Sequence, residues 1–374
     1  MRIVYLSTAY IPSRTANSVH IMKMCSALAK NGNEVTLFAP KLKSYEQINS
    51  SVFDYYNVVN NFTIHRVLFP NFKYGIYIYA INCLFSIYRY KPKFIYSRSL
   101  LCSLFSSLAR KPMLLELHYP IEKSSNFQYP GFKRFIRSKI FRNLIVITEP
   151  LKRIYLQRFL MPSNKITVLP DGADMPTFKN NAINFINDKL NVGYTGHLYK
   201  GRGINLIIEL ARRSKWAFFH IVGGNVDDIE KLKKNTMEID NLKIYGFLSP
   251  KETEKIRLNM DVLLAPYQKK VMLGSGKLTT EEWMSPLKVF EYMAAGKAII
   301  ASDLPVLHEV LDNGRNCIMC PPSTTELWIE ALNKLNQNQK LRENLGKTAQ
   351  EDLKLKYTWD IRAKRILEVA TQVL

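Results

Sequence analysis

Short, apolar, β-rich runs alternate with segments of helical spacing along the chain, and the alternation stops once and then restarts. In the first half the runs are RIVYLS from Arg2, EVTLFAP from Glu34, TIHRVL from Thr63, FIYSR from Phe94, MLLELH from Met113, LIVIT from Leu144 and ITVLP from Ile166. Most are nearly continuous apolar runs, as strands buried on both faces require. Between them, Val19, Met22, Cys25 and Leu28 recur on one helical face, and Asn31-Gly32 supplies a stop. Strand, helix, strand with doubly buried strands is the parallel βαβ unit. The polar stretch 175–189 (MPTFKNNAINFINDK) interrupts the pattern. It resumes with NVGYTG from Asn191, AFFHIVGG from Ala217, LKIYGF from Leu242, DVLLAP from Asp261, AIIASDL from Ala298 and CIMCPP from Cys317. The expected fold is α/β: two doubly wound parallel sheets in tandem, one in residues 1–178 and one in 179–357. The amphipathic tail 358–374 has no strand after it and is expected to pack back on the first domain.

The 374 residues, 47% of them hydrophobic, suffice for two cores. Lys and Arg number 53 against 31 Asp and Glu, a net charge of +22 that attracts anions: nucleic acid, an acidic membrane surface or a phosphorylated small molecule. The five cysteines are too few and too scattered for a disulfide framework, which points to a reducing cytoplasm. Cys317 and Cys320 lie three apart in a strand-like run and so face opposite ways, which makes them buried thiols and not a chelating pair. No other His, Cys or acidic cluster has metal-ligand spacing, and no metal is expected. The opening MRIVYLSTAY has neither a basic leader nor an apolar signal core, so no secretory signal is expected. The longest apolar stretch, 74–88, falls short of the roughly 20 residues of a bilayer span. The chain is expected to be soluble or peripheral to a membrane.

Ligands of such sheets bind beyond the carboxyl ends of the strands, and two facing sheets bring those ends to a common cleft. There the segment GYTGHLYKGRG (193–203) follows a strand and opens a helix. Its glycines admit an anion to backbone amides, and Lys200 and Arg202 add whole charges. The plainer alternative is a tight turn with solvated bases. A second segment, MSPLKVFEYMAAGKAIIASDLP (284–305), leads through a proline loop into a helix bearing Glu291. A carboxylate there can accept two hydrogen bonds from a sugar diol, or it is simply an exposed helical Glu.

With these segments in hand, the chain resembles retaining nucleotide-sugar glycosyltransferases of glycosyltransferase family 4, with the GT-B fold. The resemblance runs through NGNEVTLF, VLPDGAD, GHLYKG, HIVGG, YGFLSPKE, DVLLAPY, SPLKVFEYMAAGKAIIASDLP and Trp359. It implies that Lys200 binds the donor diphosphate, with the turn glycine Gly196 and the residue after it, His197. It implies that Glu291, the second acid of an E-x7-E pattern, holds the ribose. Backbone amides at Leu287 and Lys288 are implied to meet phosphate or sugar oxygens, and Tyr245 and Gly246 to border the base. His118, ending MLLELH, matches a histidine near the reacting sugar. The implied reaction is front-side transfer with retention, without a metal. The implied partners are a UDP- or GDP-sugar and a glycan or polyprenyl-linked acceptor, in cytoplasmic assembly of bacterial cell-surface polysaccharide. The nucleotide-sugar is then a substrate, and no cofactor is expected.

Several positions depart from the family pattern. The first acid falls on Trp283, with Glu281 and Glu282 out of register. His197 stands where a stronger base is usual, and Arg202 is the candidate for the missing charge. The glycine pair before the first helix is Ala16-Asn17, so Asn17 either approaches the donor or, like Ser18, caps the helix. Residues 132–159 carry eight Lys and Arg against Glu149 alone, beside Phe132, Phe135 and Phe141. They form either a face for an anionic leaflet, on the inner side of the plasma membrane, or a solvated helix surface. The Tyr- and Phe-rich stretch 72–96 suits an amphipathic acceptor. A GT-B epimerase, a phosphorylase or an inactive relative keeps the fold without the transfer. A nucleic-acid binder would share the charge, but no zinc-finger, RNP or KH pattern is present and no nucleic acid is expected.

Overall fold

The computed structural model describes residues 1–41, 51–122, 127–178, 189–272 and 279–373. The described residues fall into two compact units, 1–171 with 359–374, and 172–358. The division lies between Asp171 and Gly172, and not at 178; most of the expected linker, 179–188, lies outside the described residues.

The first unit holds seven strands, β1 (Arg2–Leu6), β2 (Glu34–Lys41), β3 (Thr63–Leu68), β4 (Phe94–Ser97), β5 (Met113–Leu117), β6 (Phe141–Val146) and β7 (Ile166–Val168). They pair in parallel in the order β3-β2-β1-β4-β5-β6-β7. The second unit holds β8 (Leu190–Thr195), β9 (Ala217–Val222), β10 (Leu242–Gly246), β11 (Val262–Ala265), β12 (Ala298–Ser302) and β13 (Ile318–Cys320). Their order, β10-β9-β8-β11-β12-β13, is again parallel throughout. Each sheet reverses direction of growth once, between β1 and β4 and between β8 and β11, and such switch points are where doubly wound sheets take ligands. Two Rossmann-like units, the expected class, are what the chain builds.

The continuous apolar runs have the anticipated cause. In β11, Val262 and Leu264 enter the core on one face of the sheet while Leu263 and Ala265 enter the core on the other. Strand β6 begins at Phe141, three residues before the apolar run at Leu144. Asn143 is buried inside it and donates its side-chain amide to the Asn164 carbonyl at 3.3 Å, a polar residue that hides the strand from a hydrophobicity reading.

The first helix, Ala16–Lys30, is capped by neither Asn17 nor Ser18. Thr15 has extended backbone angles and its hydroxyl accepts from the Ser18 amide at 3.3 Å, while Ser18 turns its own hydroxyl back to the carbonyls of Ser13 and Thr15. Asn17 is exposed on the first turn. The last helix, Trp359–Val373, packs on this first helix within the first unit. Its Arg362 is buried and bonds the carbonyls of Leu169 and Pro170 at 3.2 and 2.9 Å as well as Glu116.

Residues 132–159 correct one expectation. Phe132, Phe135 and Phe141 are buried in the first unit, and Phe132 packs edge-on against Phe159. Lys133, Arg134, Arg137 and Lys139 are exposed, but the aromatic side chains expected beside them are turned into the core. Among the described residues no helix is long and apolar enough to cross a membrane. All five cysteines are buried free thiols, and burial pushes Cys317 and Cys320 up to about 12.

Candidate active site

In the second unit the carboxyl ends of β8, β9 and β10 close on one another through glycine. Gly196, directly after β8, donates its amide to the Val222 carbonyl at 2.9 Å, and Gly223 donates to the Gly246 carbonyl at 2.7 Å. A Cβ on Gly223 would lie 2.2 Å from the Gly196 oxygen, and φ is +118° at Gly223 and +138° at Gly196. No side chain fits either position. After Gly196 the chain turns through Tyr199–Arg202 and enters the helix Ile204–Arg213, whose cap is Gly203 in the left-handed conformation with no side-chain cap. The helix Leu287–Ala295 starts the same way, with Pro286 at its cap and no side-chain acceptor for its first amides. Both of these helix N-termini therefore lack side-chain caps, the first opening directly from the turn after β8.

Two cations complete the site. Lys288, on the first turn of Leu287–Ala295, carries its Nζ back to the β8 turn, where it would lie 2.9 Å from a Cβ on Gly196. The ammonium sits 3.7 Å above the Tyr194 ring centroid and 5.3 Å from that of Tyr267. It is buried and has no hydrogen-bond partner in the protein. Arg202 stacks on the same Tyr267 ring at 5.3 Å, and its Nε is likewise buried without a partner. Burial, then the Arg202 charge, hold Lys288 well below the ordinary lysine value, with Glu291 acting the other way. A desolvated ammonium beside a second positive charge, with no bonded carboxylate, is costly unless an anion answers it.

Sequence reasoning assigned Lys288 only a backbone amide; its side chain is what the fold brings to the turn. The signal was present as a lysine directly after the Pro-Leu that opens a helix, but nothing in the spacing tells where its ammonium goes. His197 turns its ring onto Tyr199, stacked at 4.7 Å, and Tyr194 donates its hydroxyl to the His197 carbonyl at 2.7 Å. Lys200 is exposed on the turn. Glu291 accepts from Arg257 at 3.1 Å, which fixes one of its oxygens. Tyr245 bonds His220 Nδ1 at 2.9 Å, and His220 Nε2 meets Asn191 at 3.0 Å. Burial and Lys243 push His220 down to about 4, so a neutral ring holds this tyrosine. Gly246 follows with φ +78°. At the departing position, Trp283 lies in a turn and Glu281 accepts from the Val271 amide at 3.0 Å, so that carboxylate is engaged by backbone.

In the first unit, His118 follows β5 and is half-buried; its Nε2 faces Glu116 Oε1. Burial and then Arg98 push the His118 ring down to about 4, against Glu116 and Asp171. A neutral ring facing a carboxylate carries its proton on Nε2, leaving Nδ1 as an acceptor. Burial alone would raise Glu116, but Arg362 and His20 hold it well below the usual carboxylate range. Tyr96 donates to Glu116 Oε2, Arg362 donates to Oε1 at 3.0 Å, and Arg98 lies 3.9 Å away. His20 bonds Asp171 at 2.7 Å and lies 3.1 Å from Glu116. Thus residues from β4, β5, the first and last helices and the chain after β7 converge on one buried carboxylate. His20, Glu116 and His118 are close enough together to ligate a metal ion. The two guanidinium groups at Glu116 oppose a cation there. Glu116, His20, Asp171 and Arg362 were not singled out by sequence, because their separations along the chain exceed any local pattern.

Comparison with known proteins matches this architecture. The family model for group 1 glycosyl transferases covers residues 177–352, and that for glycosyltransferase family 4 covers 18–175. An uncharacterized glycosyltransferase of Methanocaldococcus jannaschii is 23% identical over 400 residues, 99% of this chain and 98% of its own. The structure of sucrose-phosphate synthase from Thermosynechococcus elongatus superposes with a TM-score of 0.74 at 16% identity, covering 100% of this chain and 98% of that one. The Anabaena HepE complex with UDP-glucose gives a TM-score of 0.70 at 12% identity, covering 100% of both chains. The chain therefore belongs to the family 4 glycosyltransferases of GT-B fold.

Proposed function

We propose that the chain transfers a sugar from a UDP- or GDP-linked donor to a hydroxyl of a glycan or polyprenyl-linked acceptor, with retention and without a metal ion. The observation that carries the donor side is the buried, unpartnered Lys288 ammonium at Gly196, with the Arg202 guanidinium on the same Tyr267 ring. A nucleoside diphosphate supplies the negative charge this site lacks, and the amides opening Leu287–Ala295 and Ile204–Arg213 supply further donors. On this reading the bond between the anomeric carbon and the β-phosphate oxygen breaks as the acceptor oxygen attacks from the same face. The acceptor proton passes to the departing phosphate oxygen. Lys288, Arg202 and the exposed Lys200 stabilise the charge that grows there, the task a metal performs in other transferases. Glu291, oriented by Arg257, takes the ribose hydroxyls, and Tyr245 with Gly246 borders the base. His118, neutral and held by Glu116, keeps Nδ1 as an acceptor for a substrate hydroxyl.

The UDP-glucose complex of HepE supports a uridine donor. Cytoplasmic assembly of cell-surface polysaccharide rests on the family pattern. A thermal-shift panel of UDP-, GDP-, ADP- and dTDP-sugars on the wild type and Glu291→Ala tests the assignment. A ligand at a hundred times its Kd stabilises by about 2.7 kcal/mol. One nucleotide series is expected to shift the wild type and to lose its effect in the variant; no shift with any of them overturns the donor site.

A further inference from the structure

We propose that the outer face of the helix Gly75–Tyr90 docks the protein on an anionic lipid bilayer. This helix is apolar on two sides. One side, with Tyr79, Cys83 and Ile87, is buried in the first unit. The opposite side carries Ile78, Ile81, Phe85 and Tyr88, which are 36%, 39%, 66% and 53% exposed. At 100° per residue these four lie within about 80° of one another, a continuous stripe. Leu108, 64% exposed, extends it beside Tyr88, whose hydroxyl bonds the Leu108 carbonyl at 3.1 Å. At the other end Tyr77 packs edge-on with Phe105 and with the half-exposed Phe127. A helix apolar all round belongs in a core or against lipid, and this one has a core on one side only.

The charge around the stripe selects the occupant. Between Asp54 and Glu116 the chain has no acidic residue and eight Lys and Arg. Lys73 stands exposed before the helix, and Arg89, Lys91 and Lys93 stand exposed at its end. Arg110 is exposed next to the Leu108 segment. Apolar side chains that enter the acyl boundary, framed by bases that meet lipid phosphates, are the two components of interfacial binding. A second copy of the chain would instead bring these bases against each other. At 16 residues the helix is too short to span a membrane, so it lies along the surface. This surface takes over the role that the sequence had offered to residues 132–159, where the aromatic side chains turn inward. Docking through this face is independent of the donor site.

Flotation of the full chain with vesicles of equal parts phosphatidylglycerol and phosphatidylcholine tests it. The wild type is expected to float with these vesicles, to bind pure phosphatidylcholine far less, and to detach as salt rises. The double variant Ile81→Asn/Phe85→Asn changes only exposed positions. It is expected to partition about tenfold less or weaker still, with an unchanged melting temperature and an unchanged nucleotide-sugar shift. Wild type that stays below the gradient, or a double variant that floats as well as wild type, overturns the proposal. So does a concentration-dependent dimer that the double variant dissolves, since it assigns the face to a second copy. The nucleotide-sugar shift is read separately, so a failure of the transferase reading is distinguished from a failure of docking.

Discussion

Replacing Lys288 by methionine removes a buried ammonium while keeping most of its stem, and stability and binding should move in opposite directions. In the folded protein the ammonium rests on the Tyr194 ring at 3.7 Å, without a hydrogen bond, in the field of Arg202. In the unfolded chain it is hydrated and titrates at about 10.4. Burial first and Arg202 second depress it in the fold, so between the folded and unfolded values the unfolded state binds more protons. Stability therefore rises with pH across that interval and is least below it. Lys288→Met lacks this penalty. Without nucleotide at neutral pH the variant should be more stable by about 1–3 kcal/mol, the range for exchanging buried ionic groups for apolar ones. That is a rise of about 2–4 °C per kcal/mol for a domain of this size. With a nucleotide-sugar the order reverses. Loss of a charge-assisted contact worth about 1.5–3 kcal/mol weakens binding by about ten- to a hundredfold. Scanning calorimetry with and without the donor reads both effects. A variant that melts below the wild type without nucleotide and binds the donor equally well would refute the reasoning.

Lys200→Ala should fold normally, because the side chain is exposed, and should lose about a hundredfold in turnover; wild-type rates in that variant exclude it from the reaction. Glu291→Gln should weaken nucleotide binding and lower the melting temperature slightly by leaving Arg257 without its carboxylate, as nucleotide titration and calorimetry would show. Arg362→Met leaves buried Glu116 without its nearest guanidinium, at a cost of about 3 kcal/mol. Glu116 is held low in the fold, so its contribution is present above the unfolded carboxyl value and lost as pH falls through the folded one. The acid-unfolding midpoint of Arg362→Met should accordingly move to higher pH, which circular dichroism would follow. His118 acts in the same direction at higher pH: it stays neutral in the fold down to about 4, whereas the unfolded ring protonates near 6.5. Stability should fall as pH drops between these values, and His118→Gln should flatten that slope. An unchanged slope shows that the ring is not buried against Arg98 as described.

The fold was largely legible because its information is local. A strand buried on both faces must be apolar at successive positions, so the central strands coincide with apolar runs, while the edge strands β3 and β10 mix in His65, Arg66 and Lys243 at less buried positions. Only β6 was blurred, by buried Asn143, whose acceptor is the Asn164 carbonyl twenty-one residues away. The turn at Gly196 was legible for a similar reason. A Cβ on the facing Gly223 would lie 2.2 Å from the Gly196 oxygen, and only glycine avoids that clash.

What the local code does not carry is the destination of long side chains. Lys288 and Phe132 read as a backbone donor and a surface aromatic. The fold turns one ammonium onto Tyr194 beside Gly196 and buries the other ring against Phe159. Glu116 reads as one acid in an apolar strand, yet it gathers His20, Tyr96, His118 and Arg362, the last of them 246 residues away. Hydrophobic periodicity arises from neighbours within a turn or a pleat, and so the sequence by itself determined the elements, their order and the glycine turns. Desolvation and charge pairing depend on everything packed within a few ångströms. Which ammonium was left buried without a partner, and which apolar face was left in water, only the tertiary structure decided.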